Sequence, residues 1–265
     1  MPIMRQISKK ARIGCKVKIG PFTIIHDNVV IEDNTVIESH CVIGYPTPLA
    51  GNKPLVIGHG SHIRSHSIFY EGSCFGAELS TGHAVIVREN CTAGEGLQIG
   101  THADIQGDCR IGDYVKTHSE VHIAKESTIG NFVYLSPRVQ FTNDPYPPSF
   151  VCEGITIKDM TVVATGALLL PGITIGLGCF VGAGSVVRTD LPDLHCAQGN
   201  PARVFARVDQ FFNPKHKLAF PWIHNFRKKY PLKSYPLMQE TLEQIYTRLE
   251  QIKRSVTCRK CHSLT

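Results

Sequence analysis

Apolar residues recur along this chain every sixth position. From Ile7 the series runs through Ile13, Ile19, Ile25, Ile31, Ile37 and Ile43 without a miss. It breaks, resumes from Ile57 to Phe141, breaks again, and resumes from Ile157 to Val187. Of these 28 anchors 26 are apolar, and the two exceptions are Thr81 and Thr117. An amphipathic helix needs apolar residues at i+3, i+4 and i+7. A conventional β-sandwich predicts turns every 8–12 residues and no fixed frame of six. The remaining solution is a short flat strand, a tight corner, and another short strand. Positions i+4 are mostly small or β-branched (Val17, Thr23, Ala103, Val115, Ser185), and Gly follows the anchor in 12 hexads, where it eases a sharp corner. Three hexads close a triangular coil of eighteen residues, and the coils stack as parallel strands. Stacking at about 4.8 Å makes residues eighteen apart neighbours on one wall, and about nine coils give a prism about 43 Å tall.

The two frame breaks predict loops leaving the prism, at residues 44–56 and 142–156. The second carries Asn143, Asp144 and a proline cluster, which marks it as the functional one. Beyond the repeats, Leu237, Thr241, Leu242, Ile245, Leu249 and Ile252 share one helical face. Helices there are expected to cap the open end of the prism, with Phe205, Phe211, Phe212, Phe220, Trp222 and Phe226 packed beneath them. The division expected is a β-helix domain over 1–200 and a helical cap and tail over 201–265.

Bulk properties exclude several classes. No window approaches the ~18 apolar residues of a membrane span. A net charge of +6 without a Lys/Arg stripe interleaved with aromatics points to an anionic small molecule, not nucleic acid. Cys41, Cys91, Cys109 and Cys179 occupy i+4 positions, where a small inward residue is wanted, and read as reduced core fillers. That usage, with no signal-peptide core in "MPIMRQISKKARIG", predicts the cytoplasm. The terminal "CRKC" (Cys258, Cys261) beside His262 has no second CxxC pair to complete a zinc site and reads as a loose tail.

Polar groups can be placed on the walls by counting. Asp104 and His122 precede anchors and are eighteen apart, so they should touch on adjacent coils. Glu120 is eighteen after His102 and eighteen before Arg138, and His118 follows Thr117. Both lapses of the apolar frame therefore fall beside histidines, His83 and His118, in a stretch crowded with polar side chains. Such lapses concentrate at functional sites.

The hexad pattern resembles that of left-handed parallel β-helix proteins over about residues 5–190. The segments "TGHAVIVREN" (81–90), "GTHADIQGDCRIGDYVKTHSEVHI" (100–123) and "FTNDPYPPS" (141–149) resemble the nucleotide-linked amino-sugar N-acyltransferases of the hexapeptide acyltransferase superfamily. "GNPAR" (199–203) resembles the superfamily's closing signature. The resemblance implies a homotrimer with sites between neighbouring prisms. It implies transfer of an acyl group, most simply acetyl from acetyl-CoA, to a 3- or 4-amino-dideoxy sugar on dTDP or UDP. Asp104, His122 and His118 are then the catalytic candidates. His83, Arg88, Glu89, Glu120, Asn143 and Asp144 are the sugar-side candidates, although the family shows a small polar residue where this chain has Glu120. Coenzyme A is expected along Ala164, Gly166 and Gly182, with Arg203 toward its phosphates, and no resident cofactor or metal is implied.

A second class shares the fold. Gamma-class carbonic anhydrases bind zinc through three histidines, and His83, His118 and His122 come close to that spacing, each interval short by one residue. A one-residue slip on a strand reverses the face.

Overall fold

A computed structural model describes residues 5–213, 215, 218–219 and 227–262, with side chains of 212, 213, 218, 219 and 255–262 left aside. The repeats wind into a left-handed, three-sided parallel β-helix. Face A stacks ten short strands from Gln6–Ile7 to Val186–Val187, and face B nine from Arg12–Ile13 to Thr174–Ile175. Face C runs from Lys18–Ile19 to Phe180–Val181 and ends in an antiparallel hairpin, His195–Gly199 with Ala202–Arg207, making eleven strands in all. The hairpin pairs with Phe180–Val181 and straddles residue 200, where a domain boundary was expected. Pairing within each face follows the eighteen-residue lap, as in Asp104 with His122 and Arg110 with Thr128. No described helix is long and apolar enough to cross a membrane.

Anchors form the core. Ile43, Ile57, Ile63, Phe69, Ile123, Ile157 and Val181 are fully buried along one continuous column. The i+4 cysteines Cys41, Cys91, Cys109 and Cys179 are buried and unbridged. Burial pushes the Cys179 thiol up to about 12, so it stays protonated and acts as a small apolar group.

The corners work differently from the sequence expectation. The glycine after the anchor is not the residue that makes the left-handed turn. A Cβ on Gly58 would stand 2.5 Å from the Gly76 carbonyl carbon, and one on Gly100 2.1 Å from that of His118, so glycine is required by the closeness of the next coil. The left-handed residue is two places later and is mostly not glycine: His102 (φ 57°), Tyr114 (55°), Glu120 (60°), Phe132 (53°). Such a conformation costs an L-residue about 1–2 kcal/mol. It is offset in part by a ladder bond, since Tyr114 N–H donates to Glu95 O at 2.7 Å and Glu120 N–H to Thr101 O at 2.9 Å. At the B-to-C corner an Asp/Asn column adds more: Asp113 accepts from Glu95 N–H, Asn131 from Asp113 N–H, and Asp159 from Asn131 N–H.

Because these left-handed residues carry side chains, that corner presents an apolar ridge of Tyr114, Phe132, Met160 and Leu194. The C-terminal helix α1 (Tyr235–His262) packs along this ridge through Met238, Leu242, Ile245 and Leu249. It lies on the flank of the prism and does not cap its open end. The physical reason is that the ridge offers a long apolar surface, while the last coil is closed by the hairpin. Lys233 pairs with Glu78 (2.9 Å) and Glu95 (3.2 Å) at one end, and Arg248 with Asp193 (3.0 Å) toward the other. Phe205 and Phe211 remain partly exposed near Phe180, while the positions of Phe212, Phe220, Trp222 and Phe226 fall outside the described side chains. The helix continues through the "CRKC" segment expected to be a loose tail.

Two measurements test this account. Ile245→Ala, which strips the helix from the ridge, is expected to cost about 2–4 kcal/mol in urea unfolding. Gly58→Ala, which drives a methyl into the neighbouring backbone, is expected to lower stability by about 1–3 kcal/mol or more. A neutral Gly58→Ala would show that coil closeness is not what selects glycine.

Candidate active site

Asp104 and His122 occupy outward positions on adjacent strands of face A. His122 Nδ1 lies 3.0 Å from Asp104 Oδ2, and both side chains are partly exposed. The wall creates this pair by register alone, so neither side chain loses much freedom in forming it. With Nδ1 engaged by the carboxylate, Nε2 is the ring nitrogen left to meet a substrate.

Above the pair stands the second loop. His122 shares a cleft of about 430 Å³ with Phe141, Asn143, Asp144, Pro147 and Leu170. The loop holds its own shape. Asp144 accepts from Tyr146 N–H (2.9 Å), Ser149 N–H (2.7 Å) and Ser149 Oγ–H (2.6 Å). The Ser149 hydroxyl bond leads the interactions that hold the Asp144 carboxyl below its ordinary range. Asn143 is tied to the loop's far side, its Nδ2 to Cys152 Sγ and its carbonyl to Glu153 N–H. The first loop is instead pinned to the prism. Ala50 is buried, Asn28 donates to Asn52 O and Lys53 O, and Asn90 donates to Leu49 O. Its polar contacts serve attachment to the prism.

The other sequence candidates divide. Glu120 meets Arg138 at 3.0 Å on the C-to-A corner. Arg88 grips Glu89 with two bonds of 3.1 Å and lies over the Tyr70 ring, and Glu89 is only 2% exposed, so this pair is a corner clamp. His83 Nδ1 is 2.9 Å from Ser65 Oγ. His118 does not join His122 in the loop cleft; it lines a groove on face C with Arg64, Lys116 and Lys229. Among the described residues no three His, Cys, Asp or Glu side chains gather as metal ligands, so His83, His118 and His122 form no ligand set within the chain.

At the C-terminal coils, Gly166 (φ 70°) has open space where a Cβ would stand, as a wall exposed to a ligand requires. Ala164, two residues before it, is on the same corner, and its N–H donates to Val181 O. Gly182 is different: a Cβ there would stand 2.8 Å from Gln198 Cβ, so hairpin packing and not ligand access demands glycine. Arg203 follows the hairpin tip and folds onto Ala202 O at 3.0 Å. Sequence reasoning overlooked Arg64, Lys116 and Lys229. The signal was present, since Lys116 immediately precedes the lapsed anchor Thr117 and residues 211–239 contain six Lys/Arg and no acid.

Residues 10–45 match the family model described as bacterial transferase hexapeptide (six repeats). A serine acetyltransferase of Bacillus subtilis is 53% identical over 49 residues, 18% of this chain and 23% of that protein. A Schizosaccharomyces pombe protein named as an acetyltransferase is 37% identical over 83 residues, 28% of this chain and 40% of the relative. The chain thus spans less than half the length of these curated relatives. Among solved structures, the Arabidopsis UDP-N-acetylglucosamine acyltransferase superposes with a TM-score of 0.63 at 15% identity, covering 89% of this chain and 78% of that one, which is a likeness of fold.

The loop analysis predicts that Asp144→Ala frees residues 145–153. Chymotrypsin, which meets the exposed Phe150 ahead of Val151, is expected to cut the variant at least several-fold faster than the parent while the rest of the chain stays intact. Equal rates would mean the loop keeps its shape without these bonds.

Proposed function

We propose that this β-helix chain is a CoA-dependent acyltransferase of the hexapeptide-repeat kind, whose acceptor is the amine of a dTDP- or UDP-linked 3- or 4-amino-dideoxy sugar. The observation that carries the reading is His122, which lines the loop cleft and is paired through Nδ1 with Asp104. Local identity to named acetyltransferases supports the reaction class.

The amine nitrogen attacks the thioester carbonyl carbon. The C–N bond forms, the carbonyl oxygen takes up negative charge, and the C–S bond then breaks to release the CoA thiolate. His122 Nε2 accepts the proton lost by nitrogen and returns it to the thiolate, so charge and atoms balance. Asp104 fixes the tautomer and stabilises the imidazolium formed in between. Holding both substrates in one cleft supplies the largest share of the rate, up to about 7–11 kcal/mol of barrier in well-oriented systems. Asn143 and Asp144 position the sugar from the loop side. The pantetheine arm follows Ala164 and Gly166 toward Arg203, whose guanidinium must swing off Ala202 O to meet a phosphate. A neighbouring prism in a homotrimer closes the cleft.

One observation favours a second acceptor. The stretch shared with serine acetyltransferase raises a hydroxyl nucleophile, which needs a base more than an amine does, and an Asp–His pair is such a base.

A thiol-release assay with acetyl-CoA against dTDP- and UDP-amino sugars, L-serine and neutral sugars separates these. Turnover is expected with a 3- or 4-amino sugar nucleotide; silence with every amino sugar defeats the first reading. Asp104→Asn and His122→Asn are each expected to lower kcat at least tenfold, about the lower range for acid–base groups.

A further inference from the structure

The edge of face A that turns toward face B carries more than the loop cleft. The first loop leaves the prism after the strand Val42–Tyr45 and the second after Gln140–Phe141, and they return on face B at Leu55–Ile57 and Thr156–Ile157. The two departure points are five laps apart in the strand order of face A, about 24 Å at the ladder spacing. Between them this edge is a single column of residues. It begins with two phenol rings, Tyr45 and Tyr70, and continues through Arg88, Gln106 and Ala124 to Thr142 in the cleft.

The rings are held in position. Tyr45 and Tyr70 lie with centres 4.9 Å apart, tilted by 46°. His26 meets Tyr45 edge-on at 6.2 Å from the lap below. Arg88 lies over Tyr70 at 5.4 Å from the lap above, a cation–π contact, and is itself clamped by the buried Glu89. Tyr45, supported on both sides, is still 46% exposed. A fixed, exposed aromatic ring offers contact area at little cost in conformational entropy.

Distance then selects the ligand. Tyr70 is two laps from Asp104 along the face and Tyr45 three, about 10 Å and 14 Å. On the acyltransferase reading the acceptor amine meets His122, one lap further on. A nucleoside diphosphate sugar laid along the edge spans that interval between its base and its amine. The groups on the way suit it: Gln106 supplies an amide, and Arg88 commits Nε and Nη2 to Glu89 and keeps Nη1 for a phosphate oxygen. Coenzyme A, which the same reading brings along Ala164 and Gly166, enters from the other end of the prism.

We propose that Tyr45, backed by Tyr70, is the stacking platform for the pyrimidine base of the acceptor nucleotide. The nucleotide lies along the edge with its sugar at His122 and its base toward the N-terminal coils. This deepens the acyltransferase reading and rests on it for the identity of the ligand.

Calorimetric titration of the full chain with dTDP, UDP, ADP, desulfo-CoA and methyl diphosphate tests the platform without turnover. The parent is expected to bind dTDP or UDP. Tyr45→Ala is expected to weaken that nucleotide at least about fivefold, the lower end for a base stacked on an aromatic side chain, with its melting temperature unchanged. Tyr45→Phe keeps the ring and is expected to bind like the parent. Methyl diphosphate has no base, and its affinity is expected to be the same in parent and Tyr45→Ala. Phe22→Ala, which removes an exposed ring from the opposite edge of face A, is expected to leave every affinity unaltered. Parent-like affinity of Tyr45→Ala for dTDP and UDP, an equal loss for methyl diphosphate, a loss confined to ADP or desulfo-CoA, or no nucleotide binding by the parent overturns the proposal. Turnover of an amino-sugar nucleotide with KM unchanged in Tyr45→Ala would reject the platform and keep the reaction. A Tyr45-dependent affinity for dTDP or UDP with silence in the thiol-release assay would reject the reaction and keep the platform.

Discussion

Everything in this molecule follows from the hydrogen-bonded ladder between successive laps. Most strands are two or three residues long and could not persist alone. They persist because their N–H and C=O groups meet those of the coils on either side, as in Ile86 N–H to Ala103 O and Asp104 N–H to Val121 O. The ladder fixes the spacing at about 4.8 Å, and the spacing then dictates the rest. It forbids a Cβ at Gly58 and Gly100. It stacks Tyr114 on Phe132 with ring centres 5.4 Å apart. It also brings Asp104 to His122 without any special loop.

Regularity of this kind makes function a matter of departures. Along most of the wall hydrocarbon faces inward and solvated side chains face out. The pattern changes at the outward Asp104 and His122, at the loop that breaks the frame after Phe141, and at the two anchors where threonine replaces an aliphatic. The loop cleft combines an imidazole with a rigid polar rim, which suits proton transfer. The face-C groove brings Arg64, Lys116, His118 and Lys229 beside the hydroxyls of Thr81 and Thr117. One prism thus offers two kinds of surface on different faces.

Much of this was readable from the residues because the period is strict. The anchors, the eighteen-residue lap, both loops, the buried cysteines and the Asp104–His122 contact follow from counting. What counting could not show is direction. His118 and His122 are four residues apart, but a corner lies between them and turns them onto different faces. Gly182 follows an anchor and Gly166 holds a left-handed corner position, but counting does not reveal that one is pressed against Gln198 and the other is open. The helical face of residues 237–252 was legible, but its partner was not. The ridge exists only because the left-handed corner positions accept Tyr, Phe and Met, a preference set by ladder bonds that no local propensity encodes. Lys229 reaches its groove across more than a hundred residues from Lys116, a contact no periodicity reveals.

The helix on the flank has a dimensional consequence. An α-helix rises about 1.5 Å per residue and the tube about 4.8 Å per lap, so three to four helical residues pass each lap. Met238, Leu242, Ile245 and Leu249 step at that interval against side chains one lap apart. Tube and strut are commensurate. Removing a whole lap shortens the ridge by close to one helical turn, and the same helix can re-dock by sliding one turn. Removing half a lap leaves the two combs out of phase. Chains built on this plan can therefore change length only in whole windings, with the strut as the gauge that enforces it.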